Sequence, residues 1–371
     1  MKIVAIAGST IPSDTANSMQ VMKACQALVQ TGHEVTLLVP GEKNTSVHLK
    51  AHYGLQVDFP IEWLSSSSRR LFTWSSVRRA RALKAEVIYS WFPQSAVFSL
   101  LRRIPTVFEI HIQPSGFFGP IWHRLFASLR GHKRLVSITR ALVELLEQDF
   151  HLRFPAQQVV IAPNGVDLER FASLPDPVTA RSQVGLREAP TVMCTGHLYA
   201  GRGADLFLAL ARTIPAAHFV WVGGRPEDIE VWRQRADKNS LFNITFVGFI
   251  PNGSLPIHQA AADILLMPYS QSIMGSSGTA DSAAVASPMK MFEYMGTGRA
   301  IASAYLPVIH EVLNENNAVF CKPDDIISWK GVLERLLQDK SLREQLGKQA
   351  RLDAQGYTWV ARAQRIMNNF P

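Results

Sequence analysis

The residue types best suited to chemistry gather in one short stretch, Ser287 to Gly298, Ser-Pro-Met-Lys-Met-Phe-Glu-Tyr-Met-Gly-Thr-Gly. Ser287 is a good helix N-cap type and Pro288 suits a first helical position. Met291, Phe292 and Met295 recur at helical spacing, and Gly296 and Gly298 close the run. A helix of this kind aims unpaired N–H groups and the positive end of its dipole at whatever lies beside Ser287, which is a place for a phosphate. Lys290 is a further phosphate candidate at that end, or a plain solvated charge. Glu293 stands deeper in the helix, where a carboxylate can take a pair of hydroxyls, such as those of a ribose, in charge-assisted hydrogen bonds. Taken alone, the stretch reads first as a capped amphipathic helix.

The elements around it form a repeating series. Ile3 to Ala7 reads as a buried strand, Gly8 to Thr15 as a loop of turn-formers, and Val21 to Val29 as a helix closed by Gly32. Glu34 to Val39 is the next strand. Together these make a strand–loop–helix–strand unit of the parallel, right-handed kind, without the Gly-x-Gly-x-x-Gly run of a dinucleotide site. Further strands are predicted at 86–89, 105–110, 135–138 and 158–162, with helices at 75–85, 94–103 and from Thr139 to Gln148. Phe117 to Arg130 mixes aromatic and basic residues. It fits a helix lying on a membrane, or one packed on its own sheet with a solvated basic side. Residues 171–190, rich in Pro, Asp, Ser and Arg, read as a linker. The pattern then restarts, with strands at 191–195, 218–222, 244–247, 264–267 and 299–303. Gly275 to Ala286 is a small, polar loop running into the helix at 287–298. Two such series imply an α/β protein of two doubly wound domains, and the cleft between them is the default ligand site.

Composition narrows the partners. The chain has 371 residues, 47% hydrophobic and 18% charged, enough for two ordinary cores. No apolar run approaches a membrane span, and the N-terminal run reads as a first strand rather than a signal peptide. Cys25, Cys194 and Cys321 are scattered. They show neither disulfide nor zinc spacing and fit a reducing cytosol. The +8 charge is lopsided: residues 1–165 hold 18 Lys/Arg against 10 Asp/Glu, and residues 166–371 hold 20 of each. The first half therefore suits an anionic partner, either a membrane surface or a phosphate-bearing acceptor. No nucleic-acid motif appears, so no nucleic-acid partner is expected. A cytoplasmic location is expected, with a peripheral place on the inner face of the plasma membrane.

Several motifs in order carry a resemblance. They are Gly32-His33-Glu34-Val35-Thr36-Leu37, His111 after the strand at 105–110, and Pro163-Asn164-Gly165-Val166-Asp167-Leu168-Glu169-Arg170-Phe171. They continue with the turn at 196–203, Phe246-Val247-Gly248-Phe249, Ala262-Asp263-Ile264-Leu265-Leu266-Met267-Pro268, Phe292-Glu293-Tyr294-Met295 and Pro307. Over nearly its whole length the chain resembles the retaining glycosyltransferases of family 4. These have the GT-B fold, two Rossmann-like domains facing across a cleft. The resemblance implies an acceptor-binding domain at 1–165, a nucleotide-sugar-binding domain at 166–355, and a C-terminal helix, 356–371, returning to the first domain. It implies a UDP- or GDP-sugar as donor, a glycan, lipid-linked or small-molecule acceptor, and no cofactor.

What the resemblance implies for residues is specific. Glu293 matches the second glutamate of the family's Glu-x7-Glu motif, which holds the donor ribose. In the turn at 196–203, His197 and Arg202 stand where the family grips the diphosphate, Arg202 being able to bind it bidentately. Gly8 and Gly196 join the donor-binding set with Ser287 and Lys290. His111 is placed near the transferred sugar and the acceptor. Glu109, two residues earlier on the same strand face, reads as structural. The implied mechanism retains the anomeric configuration without a dedicated protein base, the leaving diphosphate taking the acceptor proton. His111 and Arg202 are the catalytic candidates, with charge stabilisation as the main effect. No Asp-x-Asp occurs, so no metal ligands are assigned. One departure stands out. Val285 occupies the place of the motif's first glutamate, so sugar contacts are expected from the loop at 275–286, through Gly275, Ser276, Ser277, Gly278, Thr279 and Ser282. Two other readings are a nucleotide-sugar-binding protein that has lost catalysis and a nucleotide-sugar 2-epimerase of similar architecture.

Overall fold

A computed structural model of the chain describes residues 1–43, 47–65, 68–273 and 283–371. Their strands are short, apolar and mostly buried on both faces, which is the pattern of parallel sheets covered by helices. The first unit comprises Met1–Asn164 together with Trp359–Pro371. Its strands are β1 (Lys2–Ile6), β2 (Glu34–Pro40), β3 (Ile61–Leu64), β4 (Val87–Ser90), β5 (Thr106–Ile110), β6 (Lys133–Ser137) and β7 (Val159–Ile161). They lie in the order β3-β2-β1-β4-β5-β6-β7, and every pairing is parallel. Ile3 sits opposite Val35 on one side and Val87 on the other, so β1 is an interior strand of the sheet.

The second unit, Gly165–Thr358, repeats the plan. Its strands are β8 (Thr191–Thr195), β9 (His218–Val222), β10 (Ile244–Gly248), β11 (Ile264–Met267), β12 (Ala300–Ala304) and β13 (Val319–Cys321). The order is β10-β9-β8-β11-β12-β13, again all parallel. In each sheet the chain winds outward from the first strand in one direction and then in the other. The reversal falls between β1 and β4 in the first unit and between β8 and β11 in the second. A crevice opens at the carboxyl ends of the strands at such a point, which is where open α/β sheets take ligands.

Caps set several helices. The Thr15 side chain accepts from Ser18 N at the start of helix Ala16–Gln30, and Thr139 accepts from Leu142 N at the start of helix Arg140–Asp149. Three expectations need correction. The stretch at 171–190 is not all linker: Asp176 caps a helix, Pro177–Gln183, by accepting from Val178 N and Thr179 N. The basic helix expected at 75–85 begins at Arg69 and ends at Ala82. Strands β3 and β13, absent from the sequence reading, complete the outer edges of the two sheets. The C-terminal helix, Trp359–Met367, packs on helix Ala16–Gln30 within the first unit. Its end is held there by Arg134, whose Nη1 donates to the carbonyls of Ile366 and Asn368.

Candidate active site

In the second unit, β8 runs out into Gly196 and the turn up to Gly203, beside Pro268 and Tyr269 at the end of β11. The turn depends on backbone that side chains rarely adopt. Gly201 and Gly203 have φ of +77° and +86°. A Cβ on Gly201 would fall 2.0 Å from Ser272 O, and one on Gly203 1.9 Å from Pro268 O. The turn is thereby pressed onto the strand that follows it in space, with Ser270 N donating to Gly201 O at 3.1 Å. Gly203 then caps helix Ala204–Thr213 without a side-chain hydrogen bond, leaving its first N–H groups available for an anion.

Two cations meet there on one ring. The Arg202 guanidinium lies 5.5 Å from the ring centroid of buried Tyr269, with Nη1 3.5 Å from its hydroxyl. The Lys290 ammonium lies 5.2 Å from the same centroid and 3.6 Å from Cys194 Sγ. A Cβ on Gly196 would stand 3.6 Å from Lys290 Cε and Nζ. Among the described residues neither cation is in a salt bridge. Burial pushes the Cys194 thiol up, and Lys290 and Arg202 pull it back down. Two half-buried positive charges with no carboxylate paired to either among the described residues repel each other and attract an anion.

Helix Met289–Thr297 carries Lys290 at its second position. It starts one residue later than Ser287 at the cap would require. Pro288 occupies the cap position, with extended backbone and no side-chain cap bond. Ser287 is buried just before it and is not the N-cap. The φ of Pro288, −67°, suits a helix, but its ψ of 128° is extended and leaves it outside. Tyr294 ties this helix to β8, its hydroxyl accepting from Thr195 N at 2.8 Å.

One turn beyond Lys290, Glu293 faces other residues. Its Oε1 accepts from Asn252 Nδ2 at 3.3 Å and its Oε2 from Gln259 Nε2 at 3.0 Å. Asn252 is in turn held by Arg170, whose Nη1 donates to Asn252 Oδ1 at 2.6 Å. A carboxylate offers about four acceptor positions, so each oxygen keeps a lone pair. His197 is half-buried and stacks on Tyr199, ring centroids 4.9 Å apart and planes at 14°. Val285 is 1% exposed. It belongs to the core, and a carboxylate there would be buried. Gly275, Ser276, Ser277, Gly278, Thr279 and Ser282 lie outside the described residues.

The first unit holds the other two candidates. Gly8 follows β1, and a Cβ on it would fall 2.0 Å from Phe92 Cζ. Phe92 belongs to a core cluster with Val4, Ile6, Leu38 and Phe72, so packing accounts for this glycine. His111 follows β5, its Nε2 2.5 Å from Glu109 Oε1. Glu109 is 1% exposed. Its Oε1 also accepts from Gln20 Nε2 and from Arg362 Nη2, both at 2.6 Å, and its Oε2 accepts from the Tyr89 hydroxyl. Burial works to raise its pKa, but Arg362, His111 and Tyr89 outweigh it and lower the carboxyl to about 2.

Sequence reasoning missed Tyr269, Asn252, Gln259 and Arg362. Tyr269 had a usable signal, its place just past a central strand of the second series. The bond from Arg362 to Glu109 spans 253 positions, and no local pattern reports it.

The chain is similar to known proteins along most of its length. Residues 18–170 match the model of Glycosyltransferase Family 4, and residues 189–339 match that of Glycosyl transferases group 1. The chain is 28% identical over 210 residues to a GDP-mannose-dependent alpha-(1-6)-phosphatidylinositol monomannoside mannosyltransferase of Mycolicibacterium smegmatis, covering 47% of this chain and 55% of that one. It is 24% identical over 308 residues to a sulfoquinovosyl transferase of Arabidopsis thaliana, covering 77% and 56%. The chain thus spans about half the length of these curated relatives. In fold it is similar to Anabaena HepE solved in complex with UDP, with a TM-score of 0.74, 17% identity and coverage of 99% and 98%.

Proposed function

Since this chain belongs to the group 1 glycosyltransferases of family 4, with the GT-B fold, we propose that it transfers a sugar from a nucleotide-sugar donor to a glycan or lipid-linked acceptor with retention of configuration. One observation carries the donor site: Arg202 and Lys290 converge on Tyr269, without an acidic partner among the described residues, where the winding of the sheet reverses. A diphosphate supplies the missing negative charge. The first turns of helices Ala204–Thr213 and Met289–Thr297 add backbone N–H groups to it. Glu293 uses its remaining lone pairs for the ribose hydroxyls, oriented by Asn252 and Gln259. The mannosyltransferase relative makes GDP-mannose the first donor to try, and HepE, solved with UDP, makes UDP-glucose the second.

The proposed reaction uses that charge arrangement. The bond from the sugar's anomeric carbon to the diphosphate breaks, and the acceptor oxygen bonds to that carbon on the same face. The acceptor proton passes to a diphosphate oxygen. Arg202, Lys290 and the two helix ends hold the negative charge that develops on the leaving group, which is electrostatic catalysis by preorganised groups. His111 serves the acceptor side. The first unit with its C-terminal helix holds 20 Lys/Arg against 10 Asp/Glu, and the second 18 against 20, so the acceptor side attracts an anionic lipid surface or a phosphate-bearing acceptor.

The test is turnover. The protein, incubated with GDP-mannose or UDP-glucose and a panel of lipid and glycan acceptors, releases nucleoside diphosphate in an acceptor-dependent way and yields an α-linked product. Because side chains and helix ends meet the diphosphate charge, turnover persists in excess EDTA. Binding without acceptor-dependent release would favour a donor-binding protein instead. Loss of turnover in EDTA, restored by magnesium or manganese, would move the charge stabilisation to a metal.

A further inference from the structure

Glu109 is a buried carboxylate of the first unit that the mechanism above does not use. Four side chains from four elements point at this carboxylate: Gln20 from helix Ala16–Gln30, Tyr89 from β4, His111 from the end of β5 and Arg362 from the C-terminal helix. Arg362 is 3% exposed. Besides Glu109 it donates from Nε to the carbonyls of Ala162 and Pro163, at 3.2 and 2.9 Å. A buried charge pair costs desolvation and is a poor way to gain stability alone. Of the four partners, His111 is the one whose ring reaches solvent, its side chain 23% exposed.

We infer that Arg362 and Glu109 are positioning residues that fix the His111 imidazole in one tautomer and one orientation. A carboxylate is an acceptor, so the His111 nitrogen 2.5 Å from it, Nε2, carries the proton. In the neutral ring that leaves Nδ1 bare. Nδ1 is thereby a hydrogen-bond acceptor, suited to a substrate hydroxyl and unable to donate to one. Arg362 keeps Glu109 ionised and anchors it to the end of β7 through Ala162 and Pro163. The C-terminal helix therefore contributes to the chemistry of a residue more than 200 positions earlier, without touching substrate. The inference rests on His111 serving the acceptor side, and it makes a claim about the ring that is measurable without substrate.

The experiment is nitrogen NMR of the histidine side chains in full-length protein at neutral pH, with the His111 signals assigned by their absence in His111→Gln. The expected wild-type result is a protonated Nε2 and an unprotonated Nδ1, widely separated. A Glu109→Met/Arg362→Met variant removes both charges together, so neither is left buried and unpaired. In it, with thermal unfolding still cooperative, the His111 pair is expected to collapse towards averaged tautomer positions. Turnover is expected to drop on the order of 100-fold in kcat, as for a misplaced group, with the donor KM unchanged. A wild-type His111 protonated on Nδ1, or a mixture of tautomers, would overturn the inference even if the variant fails to fold. So would a folded variant that keeps the wild-type signals. Full activity of His111→Ala would instead remove the acceptor-side reading of His111 and leave the tautomer result standing.

Discussion

Arg202 and Lys290 are the proposed donor site because, among the described residues, neither has an acidic partner. A cation–π contact offsets roughly 0.5–2 kcal/mol, too little to explain two half-buried cations on one tyrosine without an anion. Glu109 is the opposite case, a buried carboxylate with its charge fully answered. Its pKa falls from the ordinary 4.5 to about 2 on folding. A depressed carboxyl contributes stability that is fully present above its unfolded pKa and lost as pH falls through the folded one. Unfolding free energy of the wild type is therefore expected to decline between about pH 4.5 and pH 2 more steeply than that of Glu109→Gln. Urea titrations across that window check it, and parallel slopes would mean that Glu109 titrates normally. Glu293 was legible as a candidate acceptor for paired hydroxyls, but the amides of Asn252 and Gln259 that bond it were not.

The elements decide which residues meet. The turn from Gly196 to Gly203 brings Arg202 onto Tyr269 only because Gly201 and Gly203 adopt positive φ against backbone carbonyls. Gly203→Ala is expected to destabilise the second unit by about 1–3 kcal/mol, the scale of a strained residue. It should also weaken nucleoside diphosphate binding, since the Pro268 carbonyl must move. Thermal unfolding and binding measured side by side test this, and an unchanged melting temperature would contradict the packing described. Strands with near-continuous apolar runs, such as His218–Val222 and Ile264–Met267, were read to the residue. The outer strands Ile61–Leu64 and Val319–Cys321 were not. They are short and only partly buried, except for Cys321, so they lack the apolar run that marks a central strand. Phe118–Ser128 illustrates what the sequence left open. Its inner face packs on the sheet through Phe126, 5.2 Å from the Phe108 ring. Its other face is not simply a solvated basic side. Ile121 and Leu125 are about two-fifths exposed, and Phe118, with neighbouring Phe117, more so.

At the scale of the whole molecule, the unequal charge of the two units goes with that apolar surface. Among the described residues no helix is long and apolar enough to cross a membrane. An exposed face with Phe117, Phe118, Ile121 and Leu125, on a unit with ten more basic than acidic residues, is suited to lying on an anionic one. Each basic residue near such a surface contributes on the order of 1 kcal/mol, screened by salt. The protein is expected to co-sediment with anionic vesicles at low salt, less at high salt, and poorly with neutral ones. Phe117→Ser/Phe118→Ser should reduce that binding, and equal binding to both vesicle types would contradict an electrostatic contribution. The two-domain plan was legible because the strand–helix series restarts after 190, and the charge asymmetry is a count along the chain. We propose that Arg202 and Lys290 grip the donor diphosphate. Calorimetric titration of GDP, UDP and their sugar conjugates into the wild type and into Arg202→Ala/Lys290→Ala tests it most directly. The wild type is expected to bind at least one nucleoside diphosphate, and the folded double variant to lose at least roughly 1.5–3 kcal/mol of that affinity, the scale of one hydrogen bond to a charged group. Equal affinity in the two proteins, or no binding of any of these ligands by the wild type, would contradict it.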